Sequence, residues 1–83
     1  MNKLLYFTAS WCQPCKMFGP TMDRVSQSGI PVQKIDIDSN RELSQKYSIM
    51  SVPTVVKVDG QGNALGKSVG IKSQQDIIDF YND

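Results

Sequence analysis

Apolar residues fall along this chain in short runs whose spacing alternates between strand and helix periods. Leu4-Leu5-Tyr6-Phe7 is a continuous apolar run bounded by small polar residues, and it predicts a buried strand over 4–8. Cys15, Phe18, Met22 and Val25 then recur at three and four residues, the core-facing stripe of a helix. Ser10 is the expected N-cap of that helix, and Pro14 falls in its first turn. Pro20 should kink it and Gly29 should end it, with Pro31 keeping the next segment extended. Residues 32–38 alternate, setting Ile35 and Ile37 apart from Lys34, Asp36 and Asp38, and predict a second strand.

Ser39 and Glu42 form a capping-box pattern ahead of a short helix that places Leu43 and Tyr47 toward the core. Thr54-Val55-Val56-Lys57-Val58 is the most β-prone run and starts just after Pro53. The turn Asp59-Gly60-Gln61-Gly62-Asn63 folds it into a hairpin with 64–69, where Gly66 signals a bulge or a close backbone approach. Ser73 and Asp76 open a last helix whose apolar face is Ile77, Ile78, Phe80 and Tyr81. The order βαβαββα predicts an α/β fold, a four-stranded mixed sheet with helices on both faces. Lys57 shares a strand face with Val55. Either its stem runs along apolar surface to a wet ammonium, or it faces a strand end.

Eighty-three residues make one expected domain, 1–83, small enough to bury only about 60–65% of its unfolded surface. Nine basic residues against eight acidic ones are scattered, so nucleic acid is not expected as the primary ligand. No apolar run reaches membrane-spanning length, and Leu4–Phe7 is too short for a signal peptide, which reads as a cytosolic chain.

The candidate chemistry sits in Trp11-Cys12-Gln13-Pro14-Cys15-Lys16, which holds the only cysteines and the only tryptophan. A Cys-x-x-Cys where a strand turns into a helix points to redox work, because helix N-terminal amides and the macrodipole stabilise a thiolate. Cys12 is then the better nucleophile. Cys15, one turn on along the same face, can attack a mixed disulfide formed at Cys12. A structural disulfide would close too small a loop to constrain the chain much. Zinc needs about four ligands, and this chain has no histidine and no third cysteine, so a metal site would have to be shared between molecules. The polar Gln13 argues that the pair is exposed rather than inert packing.

Three separated motifs then resemble the thioredoxin family in the right order. They are Trp11-Cys12-Gln13-Pro14-Cys15-Lys16 with Pro20 beyond it, Val52-Pro53-Thr54, and Val69-Gly70. The resemblance covers nearly the whole chain, but the family's usual first strand and helix are absent. It implies a protein-disulfide reductase in which Cys12 attacks and Cys15 resolves, with no cofactor beyond the redox-active pair. It also implies a substrate groove formed by Trp11, Gln13, Pro14, Val52, Pro53 and Gly70, with a cis Val52–Pro53 bond. Implied partners are disulfide-containing proteins and a thioredoxin-type reductase, and the protein would act as a monomer.

Two positions depart from the family pattern. Gln13 replaces the usual glycine. Tyr6 stands where the family has a buried aspartate beneath the resolving cysteine, while Lys34, that acid's partner, is retained. A neutral phenol is a poor proton acceptor, so the expectation is that Cys15 is activated less effectively, through water or Lys34. Two other functions remain open. One is a glutaredoxin-like enzyme drawing on glutathione, favoured by the short build and disfavoured by the Trp-Cys-x-Pro-Cys form. The other is a binding module docking through Trp11, Pro53 and Gly70.

Overall fold

The computed structural model describes residues Met1–Asp83, and the expected order of elements is the observed one. The strands are β1 (Lys3–Thr8), β2 (Val32–Asp36), β3 (Thr54–Val58) and β4 (Ala64–Val69); the helices are α1 (Gln13–Gln27), α2 (Arg41–Lys46) and α3 (Gln74–Asn82). The sheet order is β2-β1-β3-β4. β1 pairs parallel with β2 and antiparallel with β3, and β3 pairs antiparallel with β4.

The central place of β1 explains why its sequence is apolar without alternation, since both of its faces are covered. Leu4 and Tyr6 join Phe18, Met22 and Val25 of α1, Val55 of β3 and Ile77 of α3 in one core. Leu5 and Phe7 point the other way, with Ile35, Val56, Val58 and Tyr47, where Leu43 of α2 covers them. All four residues of the predicted α1 stripe are buried. Gly29, at φ +102°, follows the Ser28 cap and donates to the Ser26 carbonyl, ending α1 in a conformation that suits glycine. The helix runs through Pro20, which lies on its exposed side where water can take the freed carbonyl of Lys16.

Several local expectations are corrected. Cys12, not Ser10, caps α1, because a turn closed by Cys12 N–H to the Ala9 carbonyl (3.2 Å) carries the chain past Ser10 before the helix begins. β2 stops at Asp36, whose carboxylate accepts the Asp38 amide (2.8 Å) and turns the chain out of the sheet. The Ser39–Glu42 capping box does not form. Asn40 takes the cap position, and its side chain donates to the Asp36 carbonyl (3.0 Å) rather than accepting from the helix. Ser73 does cap α3, accepting from Asp76 N–H at 3.1 Å.

Lys57 follows neither expected course. It is 6% exposed, and its ammonium donates to the main-chain oxygens of Phe80 (3.0 Å) and Asp83 (2.7 Å), with Nζ 5.5 Å from the centre of the Phe80 ring. A helix end leaves its last carbonyls without partners, and a cation there also meets the negative end of the dipole. Lys67 of β4 serves α2 likewise, donating to the Tyr47 and Ser48 carbonyls at 2.8 and 3.2 Å. Gly66 stands beside a bulge, the first of the two features predicted for it, and what approaches it closely is a side chain rather than another backbone. The β3–β4 register shifts beside it, and a Cβ there would stand 3.1 Å from Cε1 of Phe80. The two ends of the chain meet where the Tyr81 hydroxyl donates to the Asn2 carbonyl (2.9 Å).

In the β3–β4 turn, Asp59 accepts amide N–H groups from Asn63 and Gln61 (both 2.9 Å) and the Asn63 side chain (3.2 Å). The Asn63 amide and then the Gln61 amide hold its carboxyl below the ordinary value of 3.8. A depressed carboxylate stabilises the fold above its unfolded pKa, and that contribution disappears as pH falls through the folded value. Asp59→Ala is therefore expected to lower the urea midpoint at pH 7, with the gap from the parent closing at acid pH. A gap that stays constant down to pH 2 would refute this.

Candidate active site

The strand-to-helix turn at the end of β1 carries the two cysteines, joined here as a disulfide with Cα atoms 5.3 Å apart. Cys12 has extended backbone angles and occupies the N-cap; its sulfur accepts the Cys15 amide at 3.2 Å, while its carbonyl receives the first helical bond, from Lys16 N–H (3.3 Å). An amide aimed at that sulfur favours its anionic form once the disulfide opens. The exposure inferred from Gln13 does not extend to the cysteines. Cys12 and Cys15 are 5% and 3% exposed and pack with Ala9 against Ile37 and Val52. Exposure belongs to their neighbours: Trp11 is 64% exposed, and Gln13 and Pro14 lie open in the first turn.

Val52 and Pro53 approach from the loop before β3. Their peptide bond is cis, and the Val52 carbonyl oxygen lies 3.6 Å from Cys12 Sγ. Gly70, at φ +89°, donates its N–H to the Pro53 carbonyl (2.9 Å), which ties the loop after β4 to the loop before β3. The fold thus sets Val52 against Cys12 and Gly70 beside Pro53. Tyr6 and Lys34 are not on that surface. They are paired in register on β1 and β2 and line a cleft on the far side of Cys15. The Tyr6 hydroxyl donates to the Cys15 carbonyl (3.2 Å), and its ring meets Phe18 edge-on at 5.7 Å.

Sequence reasoning missed Asp38, whose carboxylate accepts Trp11 Nε1–H at 2.9 Å and holds the indole in place. The alternation of residues 32–38 marked Asp38 only as a polar position, and no local signal links it to a tryptophan twenty-seven residues earlier. No group of three or more histidine, cysteine or acidic side chains comes together to hold a metal. No helix is long and apolar enough to cross a membrane.

A disulfide set at the N-cap of a helix, one sulfur facing main-chain amide and carbonyl groups, defines a thiol–disulfide oxidoreductase centre on an α/β sheet. The comparisons agree. The thioredoxin family model matches residues 1–83. The thioredoxin of Bacillus subtilis is 35% identical over 79 residues, 92% of this chain and 75% of that protein. A bifunctional thioredoxin reductase/thioredoxin of Mycobacterium leprae is 31% identical over 78 residues, 90% of this chain and 17% of that protein. A solved structure of thioredoxin-2, described as a component of the malaria parasite's protein secretion machinery, superposes with TM-score 0.88 at 30% identity, covering 99% of this chain and 82% of that one. The chain belongs to the thioredoxin family, and its activity is protein-disulfide reduction by dithiol–disulfide exchange.

Proposed function

We propose that Cys12 is the attacking thiolate and Cys15 the resolving thiol, and that 1–83 works as one domain and as a monomer. The observation that carries this is the Cys15 amide directed at Cys12 Sγ from a helix N-terminus. Trp11, Gln13, Pro14, Val52, Pro53 and Gly70 form the groove for an extended substrate segment, whose main chain pairs beside Val52 in the manner of strand addition. Substrates are disulfide-containing proteins, and no cofactor is needed beyond the Cys12–Cys15 pair. A thioredoxin-type reductase is the electron donor, a reading supported by the M. leprae protein that joins the two activities in its name. The working compartment is the cytosol, where such a pair stays reducible.

The test is the redox equilibrium of Cys12–Cys15 against glutathione and dithiothreitol, read by Trp11 fluorescence. The expected potential lies well below the cytosolic glutathione poise, with turnover through a thioredoxin-type reductase. A potential at or above that poise, with glutathione on Cys12, would make the protein glutaredoxin-like. Failure to exchange at all would leave a docking module.

A further inference from the structure

Behind Cys15 a cleft of about 630 Å³ opens between the first turns of α1 and the β1–β2 strand pair. Its sheet wall is Tyr6 and Thr8 on β1 beside Lys34 and Asp36 on β2, joined by the register Tyr6–Lys34 and Thr8–Asp36. Its helix wall is Cys15, Lys16 and Gly19. Polar side chains reach it from both walls, Thr8, Lys34 and Asp36 from the sheet and Lys16 from the helix, and it is roomy enough for bridging water.

Of the side chains here, an ammonium only donates, and a neutral phenol is a weak acceptor already committed as donor to the Cys15 carbonyl. A carboxylate is the one group in the wall with acceptor capacity alone. Asp36 spends one oxygen, Oδ1, on the Asp38 amide (2.8 Å), and Oδ2 makes no hydrogen bond within the protein. Its main chain is fixed on both sides: Ile37 N–H donates to the Thr8 carbonyl (3.0 Å) and the Asn40 side chain to the Asp36 carbonyl (3.0 Å). The charged and titratable groups that line the cleft together with Asp36 are Tyr6 from β1, Lys34 on β2 itself, and Cys15 and Lys16 from α1. Asp23 borders the smaller neighbouring cavity with Tyr6 and Lys34.

We propose that Asp36 accepts the Cys15 proton through water during the resolving step. The acid missing from β1 at Tyr6 is in effect supplied from β2. This rests on Cys15 being the resolving thiol. In the mixed disulfide, the Cys15 S–H proton passes across water to Asp36 Oδ2, and the thiolate attacks Cys12 Sγ. The Cys12–Cys15 bond forms, the Cys12–substrate S–S bond breaks, and the departing substrate thiolate takes a proton from solvent. The substrate disulfide is reduced to two thiols and the protein dithiol is oxidised. Asp36 then returns its proton to water.

Single-turnover mixing of the reduced protein with dithiobis(nitrobenzoate) separates the steps, because Cys12 attack releases the first thionitrobenzoate and Cys15 attack the second. Asp36→Asn is expected to leave the first release unchanged and slow the second about a hundredfold or more at pH 7, the low end for general-base catalysis. The two proteins should converge above about pH 9, where hydroxide deprotonates a thiol unaided. Asp36→Glu should restore the fast second release. A second release slowed equally at every pH, one unaffected by Asp36→Asn, or one slowed instead by Lys34→Gln would each overturn the proposal. Failure of the underlying assignment would look different: the first release would persist in Cys12→Ser.

Discussion

Cys12→Ser is expected to abolish reduction of a protein disulfide, while Cys15→Ser leaves the attack intact and strands the substrate on Cys12. A serine hydroxyl at the N-cap keeps the hydrogen bond from the Cys15 amide but is not a nucleophile toward disulfide sulfur. Turnover in that variant should fall to about a thousandth of the parent rate or less, since the one thiol left, Cys15, is 3% exposed and lies behind the turn. In Cys15→Ser the first exchange proceeds, but the group that would displace the substrate is gone. Insulin reduction in dithiothreitol reads the first effect, and a non-reducing gel reads the trapped adduct. An adduct on the Cys12→Ser protein, with none on Cys15→Ser, would reverse the assigned roles.

The second large effect concerns stability. Lys57→Ala should lower the unfolding free energy by about 2–4 kcal/mol, because hydrogen bonds from a charged donor contribute roughly 1.5–3 kcal/mol each and two are lost. The estimate stays below the sum because oxygens at a helix end can regain water. Lys57→Met keeps the apolar stem and the packing against Phe80 while removing the donor, and should cost about half as much. Against a total stability of about 5–15 kcal/mol, the alanine change alone would be conspicuous in a urea titration. The dithiobis(nitrobenzoate) kinetics should not change, since Lys57 lies three residues along β3 from the Thr54 end that meets Phe7. An unchanged urea midpoint would show that these contacts contribute nothing net.

What could be read from the sequence was whatever obeys a local period or a short motif. The stripe Cys15, Phe18, Met22 and Val25 is buried as spaced, and the unbroken apolar run of β1 is covered on both faces. The three thioredoxin-like motifs also come together where Cys12 meets Val52 and Pro53 meets Gly70. What could not be read depends on partners far away in the chain. Lys57 finds its carbonyls twenty-three and twenty-six residues on, and Trp11 finds Asp38 twenty-seven residues on. The helix start at Cys12 escaped notice for a smaller reason, since Ser10 has the better capping side chain and only the Ala9–Cys12 turn moves the cap forward. Asp36 showed itself only as one polar position in an alternating strand, and the cleft it lines exists only once β1 and β2 lie side by side.

The bond from Tyr81 to the Asn2 carbonyl has a consequence for how this domain can be built into larger molecules. It pins the two termini together at the Lys3 end of β1, whereas Cys12 follows the Thr8 end, about 20 Å away along a six-residue strand. A linker, a purification handle or a neighbouring domain attached at either terminus would hang from the pole opposite the dithiol. Tandem fusions and surface immobilisation through the ends should therefore leave the reactive turn facing outward.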